Sequence, residues 1–417
     1  MNASKIDTSK QSAGSVTTIA LCFAVALLEG LDIQAAGVAG PRMSREFSLT
    51  VAQMGWAFSA GTMGLLPGAA LGGRLADVFG RKNVLVISVA LFGLCSLATT
   101  QIWNFESFLI VRILTGLGLG AAMPNLITMC SEAAPPHRRG AAVGAMYCGM
   151  PFGAAMAAAI GTVGESGWRH VFYIGGVGPL LLVPLLMFVL RESRQFAEVR
   201  GAHARSVRPG VIDALWREGR ARITIALWIS YLGTLIVLYF LMLWLPSMAL
   251  SRGLSHTQGG VVLMMFNVGG GIGAIGIANV MDRLGWRGTV IGMYAGITVA
   301  LALLAASVGA MSMAAGSFLC GLLLVGGQSV LYALAGHAYE TRIRGTGIGA
   351  AVAVGRLGSI LGPLLAGQLF ALGQSASMLV AASIPMTVVA ALAALTVVGA
   401  LAPRDNAANA VPDTNGI

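Results

Sequence analysis

Two acidic residues lie three positions apart inside a stretch that is otherwise apolar. Glu29 and Asp32 belong to the run LLEGLDIQAAG at residues 27–37. A charged side chain at the centre of a bilayer costs roughly 2.5–3.5 kcal/mol on insertion scales, so these carboxyls need compensation. Residues three apart share one face of a helix, which predicts that both acids line an internal passage. A carboxyl that is enclosed and then exposed can take up and release a proton, and this is the chemistry of proton coupling.

Arg112 is the expected partner of these acids. At about 1.5 Å per residue, Asp32 lies about 22 Å along its apolar run, and Arg112 lies about 9 Å along a run of opposite direction. The two depths roughly match across ~30 Å of hydrocarbon, which makes an Asp32–Arg112 pair feasible. We predict that Asp32 is the principal proton carrier, that Glu29 is the second, and that Arg112 tunes the site. A permanent structural ion pair is the alternative.

Arg356 is suited to a different task. A planar guanidinium can bind a carboxylate through two parallel hydrogen bonds and so replace its lost hydration. Arg356 lies about 17 Å along its run, near the midplane, so we predict that it anchors an anionic substrate. Bonds to helix carbonyls or to another span are the alternative. Further candidates for the pocket are Gln328 and Tyr332, which share one face of one run, and Asn125, Tyr147 and Trp56. The alternative for each is a structural role in hydrogen bonding or packing between helices.

These residues must be positioned by membrane-spanning helices. Hydrophobic residues make up 56% of the 417 residues and charged ones only 10%, and the mean hydropathy is +0.81. A soluble domain of this length would need more charge on its surface. Alternating barrel strands are absent, so the chain is predicted to be an all-α integral membrane protein. Twelve apolar runs are long enough to span: 17–40, 51–73, 84–102, 107–130, 141–163, 170–190, 222–246, 258–281, 288–308, 311–335, 345–371 and 376–402.

The distribution of basic residues predicts the orientation. If the N-terminus is cytoplasmic, 20 of the 26 Lys and Arg residues lie in the tails and inward-facing loops. This positive-inside bias predicts that both termini are cytoplasmic. The formal charge of +10 does not indicate nucleic-acid binding, because no basic face is interleaved with aromatic residues. A cleaved signal peptide is the alternative for the first run. The five cysteines lie in apolar runs without CxxC spacing, so no disulfide, metal, cofactor or enzyme site is predicted.

A polar segment divides the chain into two related halves. We predict a bundle of six helices over 1–190, a cytoplasmic linker over 191–221, and a second bundle over 222–417. The sequences GGRLADVFGRK (72–82) and NVMDRLGWR (279–287) both contain Asp-x-x-Gly followed closely by Arg, and Asp77 and Asp282 are 205 residues apart. The same offset links Arg139-Gly140 to Arg344-Gly345. This register indicates a parallel repeat, as expected of a bipartite transporter.

Several of these motifs resemble known transporter signatures. GGRLADVFGRK and RILTGLGLGAAMPN (112–125) are similar to signatures of the major facilitator superfamily. LLEGLDIQAAG resembles the acidic motif of its aromatic acid:proton symporters, which usually has Asp where this chain has Glu29. MGWAFSAG (54–61), GGQSVLYALA (326–335) and AVAVGRLG (351–358) add a resemblance to the 3-(3-hydroxyphenyl)propionate symporters.

The resemblance implies a monomeric importer in the bacterial inner membrane. Its ligands would be protons and a small aromatic acid, moved by alternating access. Asp77 would contact the N-terminal end of span eleven and hold the halves together on the cytoplasmic side. A drug:proton antiporter and a non-transporting sensor of aromatic acids are the alternatives. The expected gating residues are Gly73, Asp77, Gly80, Arg81, Glu132, Arg139, Asp282, Arg283, Gly285 and Arg287.

Overall fold

The computed structural model describes the backbone of residues 2–135, 138–162, 168–190, 192, 215–217, 220–340 and 343–409. Side chains are described for these residues except 2–14, 77, 140–141, 162, 277–282, 344–345 and 402–409. The predicted linker over 191–221 therefore lies mostly outside the described residues.

The described residues fold into twelve helices. They are α1 (Asn2–Glu46), α2 (Val51–Phe79), α3 (Arg81–Thr99), α4 (Phe105–Ala133), α5 (Arg139–Tyr147 and Gly149–Thr162), α6 (Arg169–Val189), α7 (Ala221–Ser251), α8 and α9 (together His256–Ala306), α10 (Ala310–Ala338), α11 (Arg344–Ala371) and α12 (Ala376–Asn409). The continuous stretch of α8 and α9 is interrupted at Gly285, where φ is 63° and ψ is 176°. The prediction of an all-α chain with two groups of six helices is confirmed.

Eleven of these described helices are long and apolar enough to cross a membrane by length and composition. The exception is α2, although it has 29 residues and packs between α4 and α11. Its glycine-rich sequence lowers its hydropathy, because glycine has no side chain to contribute. The apolar runs therefore predicted the number of helices, and the helices extend several residues beyond many of the runs.

The loops confirm the 205-residue repeat in detail. Thr50 caps α2 through a reciprocal capping box with Gln53, and Ser255 caps α8 in the same way with Gln258. Between the Asp-x-x-Gly helices and the helices that follow, Gly80 and Gly285 both have positive φ, at 94° and 63°. Each pair is 205 residues apart. A left-handed backbone is costly for residues with a Cβ, which explains glycine in both turns.

Close helix crossings repeat as well. A Cβ added to Gly116 of α4 would overlap the carbonyl oxygen of Gly61 on α2. In the second half, a Cβ on Gly321 of α10 would overlap the carbonyl oxygen of Phe266 on α8. All four positions obey the 205-residue offset. Backbone contact of this kind is typical of membrane helices, which pack through small residues.

The two halves meet most closely at one end. We call the side that carries both chain termini the termini face, and the opposite side the far face. Near the far face, a Cβ on Gly55 of α2 would lie 3.1 Å from the Cα of Gly367 on α11. Nearer the termini face, Gly73 of α2 and Gly349 of α11 have open space beside their Cα atoms. The described contacts of α2 and α11 at these glycines therefore lie near the far face, and a Cβ on Gly73 or Gly349 would have no neighbour within 4 Å.

Two prolines help to close the far face. Proline has no N–H, so the carbonyl four residues earlier in its helix lacks its usual donor. Pro246 frees the carbonyl of Met242 on α7, which accepts a bond of 2.7 Å from Gln34 Nε2 on α1. Pro363 frees the carbonyl of Ser359 on α11, which lies 3.2 Å from Thr62 Oγ1 on α2, a hydroxyl whose single hydrogen is shared with Ser59 O of its own helix at 2.8 Å. Both bonds join the two halves.

Candidate functional site

The carboxyl of Asp32 is held by two side chains in the interior of the first half. Arg112 Nη1 on α4 donates to Asp32 Oδ2 at 2.9 Å, and Ser96 Oγ on α3 donates to Oδ1 at 2.7 Å. Asp32 is completely buried and Arg112 is 2% exposed. The predicted Asp32–Arg112 pair is therefore present, and both carboxylate oxygens have a donor.

Arg112 makes two further contacts. Its Nη2 donates to the main-chain oxygen of Asp32 at 3.3 Å, and its guanidinium lies 5.5 Å from the ring centre of Phe172 on α6. A cation over an aromatic face is attracted by the ring quadrupole. Gly61 leaves room for the guanidinium, since a Cβ there would lie 3.2 Å from Nη2. The charge of Arg112 is thus enclosed within the first half.

Glu29 has different surroundings, although it lies one turn before Asp32 on α1. It is 1% exposed, and its Oε1 is buried without a hydrogen-bond partner. The charge that acts on it belongs to Arg356, on α11 of the second half. One acid of the motif is thus paired within its own half, and the other faces a cation across the interface between the halves.

Arg356 lies among tyrosine hydroxyls from three helices. Its Nη1 donates to the hydroxyl of Tyr239 on α7 at 2.9 Å. Tyr332 on α10 and Tyr147 on α5 also lie within range of its charge. Tyr332 is 37% exposed and Arg356 is partly exposed, so this group can be reached from outside the protein. We refer to Glu29, Tyr147, Tyr239, Tyr332 and Arg356 as the Arg356 cluster.

The remaining residues that were predicted for the pocket lie in different surroundings. Gln328 lies one turn before Tyr332 on α10, and its Nε2 is buried without a partner. Asn125 is buried, and its Nδ2 donates to the carbonyl of Ala121 in its own helix at 2.9 Å. Trp56 is 42% exposed near the far-face end of α2. The neighbouring Gly55 and Ser59 of α2 contact α11, and the predicted role of Trp56 in the pocket stays a prediction.

Sequence reasoning missed Tyr239, Tyr231 and Ser96. Tyr239 and Tyr231 lie in the apolar run of α7, where an aromatic residue is ordinary core material, and Ser96 is a small polar residue in α3. One signal was available for Tyr239, since it lies 205 residues after Gln34, another polar residue at membrane depth. Their partners lie on other helices, and spacing within one run gives no information about these contacts.

The predicted gating residues lie at the termini face. Arg81 forms an ion pair with Glu132 at the end of α4, and the main-chain nitrogens of Arg81 and Lys82 donate to Glu192 Oε1 at 3.0 and 3.1 Å. These contacts tie the start of α3 to α4 and to the segment after α6. Arg139, Arg283 and Arg287 are exposed, and Gly73, Gly80 and Gly285 lie as described above. The side chains of Asp77 and Asp282 are outside the described part of the chain.

Comparison with known proteins identifies the family. The model of the Major Facilitator Superfamily matches residues 22–363. The chain belongs to this superfamily. The 3-(3-hydroxy-phenyl)propionate transporter of Escherichia coli (strain K12) is 48% identical over 92% of this chain and 94% of its own length. The gallate transporter of Pseudomonas putida is 32% identical over 85% of each chain. A major-facilitator chain with such relatives is a multi-pass membrane transporter and not an enzyme.

Solved structures support the same fold. The crystal structure of a D-xylose-proton symporter aligns with a TM-score of 0.74 at 19% identity, covering 92% of this chain and 96% of that chain. An inward open conformation of the xylose transporter XylE from E. coli aligns with a TM-score of 0.72 at 18% identity, covering 96% and 97%. At these identities the likeness concerns the fold alone.

Proposed function

We propose that the protein imports a small aromatic carboxylate, such as 3-(3-hydroxyphenyl)propionate, together with protons by alternating access. The observation that carries the proposal is the Arg356 cluster, in which a cation of one half lies next to an unpaired acid of the other. The named relatives transport aromatic acids, which supports the substrate class. The protein acts as a monomer in the bacterial cytoplasmic membrane.

Arg356 binds the carboxylate of the substrate. One nitrogen of its guanidinium is fixed by Tyr239, which orients the plane of the group. A fixed, planar cation in a partly enclosed site binds a carboxylate through two hydrogen bonds at little entropic cost. The tyrosine rings of the cluster provide aromatic surface for edge or offset contacts with the ring of the substrate.

Glu29 couples proton binding to substrate binding. Its ionised carboxyl and the substrate carboxylate both seek the positive charge of Arg356. When the substrate occupies Arg356, an ionised Glu29 would be an unpaired buried charge, so the protonated acid is favoured. When the substrate leaves, the freed guanidinium favours loss of the proton. Because linkage is reciprocal, a proton on Glu29 strengthens substrate binding, and both ligands travel in the same direction.

The contacts favour a different order of the two acids from the sequence-based one. Asp32 has two donors and a buried cation, so its ionised form is compensated where it lies. Glu29 has an oxygen with no donor. We therefore assign the proton carrier to Glu29, and to Asp32 and Arg112 the task of holding α1 against α3 and α4. Gln328 and Asn125 remain candidate polar groups of the pocket.

The orientation follows from charge. The tails and loops at the termini face carry most of the basic residues, which supports our assignment of both termini to the cytoplasm. The observed arrangement, closed at the far face, is then open towards the cytoplasm. In the opposite state, Asp77 and the other gating residues hold the cytoplasmic ends of the halves together, with Asp282 playing the matching part in the second half.

Uptake into proteoliposomes with an imposed pH gradient tests this proposal. Wild-type protein accumulates 3-(3-hydroxyphenyl)propionate when the outside is acidic. Glu29→Gln, which resembles the protonated acid, loses gradient-driven accumulation and keeps exchange of substrate between the two sides. Arg356→Lys loses both, because a point charge cannot replace a bidentate fork.

The matched comparison is Asp32→Asn. It leaves Arg112 buried without a full partner, so we expect a loss of thermal stability in addition to a loss of transport. If Asp32→Asn is stable and keeps exchange, while Glu29→Gln still accumulates substrate, the carrier is Asp32. Loss of accumulated substrate on acidifying the outside would instead indicate an antiporter and overturn import.

A further inference from the structure

Two buried polar groups beside the Arg356 cluster have no hydrogen-bond partner. They are the hydroxyl of Tyr231 on α7 and the amide nitrogen Nε2 of Gln328 on α10. Tyr231 is completely buried. A buried donor or acceptor that stays unpaired costs about 1–3 kcal/mol, so a second half that keeps two of them near one site needs a reason.

Other tyrosines in the same half do not share this condition. The hydroxyl of Tyr294 on α9 is also buried, yet it bonds both Ser230 Oγ and Thr234 Oγ1 at 2.8 Å. The hydroxyl of Tyr339 bonds Thr224 Oγ1 at 2.9 Å. The packing of this half therefore provides hydrogen-bond partners for the buried hydroxyls of Tyr294 and Tyr339.

In the described part of this half, four further side-chain atoms are buried without a partner: Trp228 Nε1, Ser247 Oγ, Arg252 Nε and Ser317 Oγ. Tyr231 and Gln328 differ from these because a ring contact and helix register connect them to Tyr332 of the Arg356 cluster.

Contacts place Tyr231 and Gln328 beside the anchor. The ring of Tyr231 meets the ring of Tyr332 edge-on, with centres 5.7 Å apart. Its Cβ and Cδ1 also lie within 3.1 and 3.2 Å of the position that a Cβ on Gly355 would take, directly before Arg356. Gln328 lies one turn from Tyr332 on α10, and residues four apart share a helix face. Tyr332 of the Arg356 cluster thus contacts Tyr231 and shares a helix face with Gln328.

The chemistry of the two groups selects a hydroxyl. Gln328 Nε2 is a donor only, and the Tyr231 hydroxyl can donate or accept. A phenolic hydroxyl can accept a bond from an amide nitrogen and donate one to a tyrosine oxygen, so its chemistry complements both groups. A bare ring has no polar atom and leaves both groups unpaired.

We propose that Tyr231 and Gln328 form a subsite for a hydroxyl on the substrate ring, so that the transporter selects hydroxylated aromatic acids over unsubstituted ones. This proposal rests on the proposed function, with the carboxylate at Arg356. A site built around a substrate hydroxyl rejects the analogue without it strongly, because the buried groups of the site are then left unpaired.

The test compares two substrates in the same vesicles. Initial uptake of 3-(3-hydroxyphenyl)propionate and of 3-phenylpropionate is measured at equal concentration, and the ratio of the two rates cancels the amount of folded protein. For the wild type we expect a ratio of at least about tenfold in favour of the hydroxylated acid. Tyr231→Phe and Gln328→Leu, which keep the shape of the side chains, should each bring the ratio towards one.

Tyr294→Phe is the matched control, because it removes a buried hydroxyl from the same half but from a satisfied network. We expect it to lower thermal stability and to leave the ratio unchanged. Equal rates for both acids in the wild type would remove the subsite and leave the proposed import intact, whereas uptake of neither acid would remove the proposed function. An unchanged ratio in both Tyr231→Phe and Gln328→Leu would also refute the subsite, as would a ratio that falls equally in Tyr294→Phe.

Discussion

At the offset of 205 residues, Glu29, Asp32 and Arg112 of the first half correspond to Thr234, Val237 and Ser317 of the second. Asp32 and Arg112 form a buried ion pair in the first half. Their counterparts are an apolar residue and a serine whose buried hydroxyl has no partner. The two halves therefore share helix crossings, caps and turn glycines, and they differ in their ionisable groups.

The second half contains the complementary chemistry. Arg356 corresponds to Pro151, and Tyr239, which holds Arg356, corresponds to Gln34 in the first half. Backbone contacts through glycine depend on helix geometry alone, so both copies keep them. Side chains at the interface between the halves are free to diverge, because each copy contacts the other and not itself. The first half therefore carries the acid, Glu29, and the second half carries the cation, Arg356. The proposed coupling site forms only when the two halves are packed together.

The two halves also keep an equivalent contact and differ in its residues at the far-face ends of their helices. In the first half, Arg169 of α6 bonds the carbonyl of Thr100 at 3.0 Å and the carboxylate of Glu46 at 2.6 Å, which joins α6, α3 and α1. In the second half, Arg252 at the end of α7 bonds Ser307 Oγ at 2.7 Å and Ser377 Oγ at 3.1 Å. It thereby joins α7, α9 and α12, the equivalent three helices. The repeat preserves the junction and not the residue that makes it.

The largest expected difference between the halves is at Arg112. Arg112→Leu leaves the buried carboxylate of Asp32 without its cation, so we expect a loss of about 3–5 kcal/mol of stability and no uptake. Thermal unfolding of the purified protein in detergent measures the first effect. Ser317→Ala, at the equivalent position, removes an unpaired hydroxyl and should change stability by less than about 1 kcal/mol. Similar unfolding temperatures for the two variants would mean that the ion pair does not distinguish the halves.

An intermediate effect should be equal in the two halves. Gly116→Ala and Gly321→Ala both place a methyl group against a backbone carbonyl of a neighbouring helix, and each should cost about 1–3 kcal/mol by overpacking. The same unfolding measurement applies. Gly292→Ala, on α9 with open space beside its Cα, should be neutral or slightly stabilising. A large effect at one glycine and none at its counterpart would show that the repeat is not mechanically equivalent.

The smallest expected effect concerns the closure between the halves. Gln34→Leu and Thr62→Val each remove one bond to a carbonyl freed by proline, worth about 0.5–1.5 kcal/mol. Hydrogen–deuterium exchange should become faster at the far-face ends of α1, α2, α7 and α11. Ser88→Ala, which removes a bond to Val84 within its own helix, is the control and should leave these ends unchanged. Unaltered exchange in Gln34→Leu would show that this bond does not hold the far face closed.

Part of the site could be predicted from the depth of each residue in the membrane, which follows from its position along an apolar run. Counting residues from the ends of apolar runs matched Asp32 with Arg112, and the structure contains that pair. The same counting placed Arg356 near the midplane, and the structure brings Tyr332 and Tyr147 near it. Depth along the chain gives no information about which way a helix faces, so the predicted role of Trp56, which is 42% exposed, stays a prediction.

The sequence by itself determined the membrane class, the helices, the duplication and the presence of ionisable groups at membrane depth. These follow from hydropathy and spacing, because the thickness of the bilayer fixes the length of every helix and the depth of every residue. Only the tertiary structure decided that Glu29 keeps an unpaired oxygen, that Tyr239 holds Arg356, and that the halves close at the far face. Each residue turns the helix by about 100°, and the bilayer fixes no rotation about the helix axis, so the partner of a side chain is set by packing between helices.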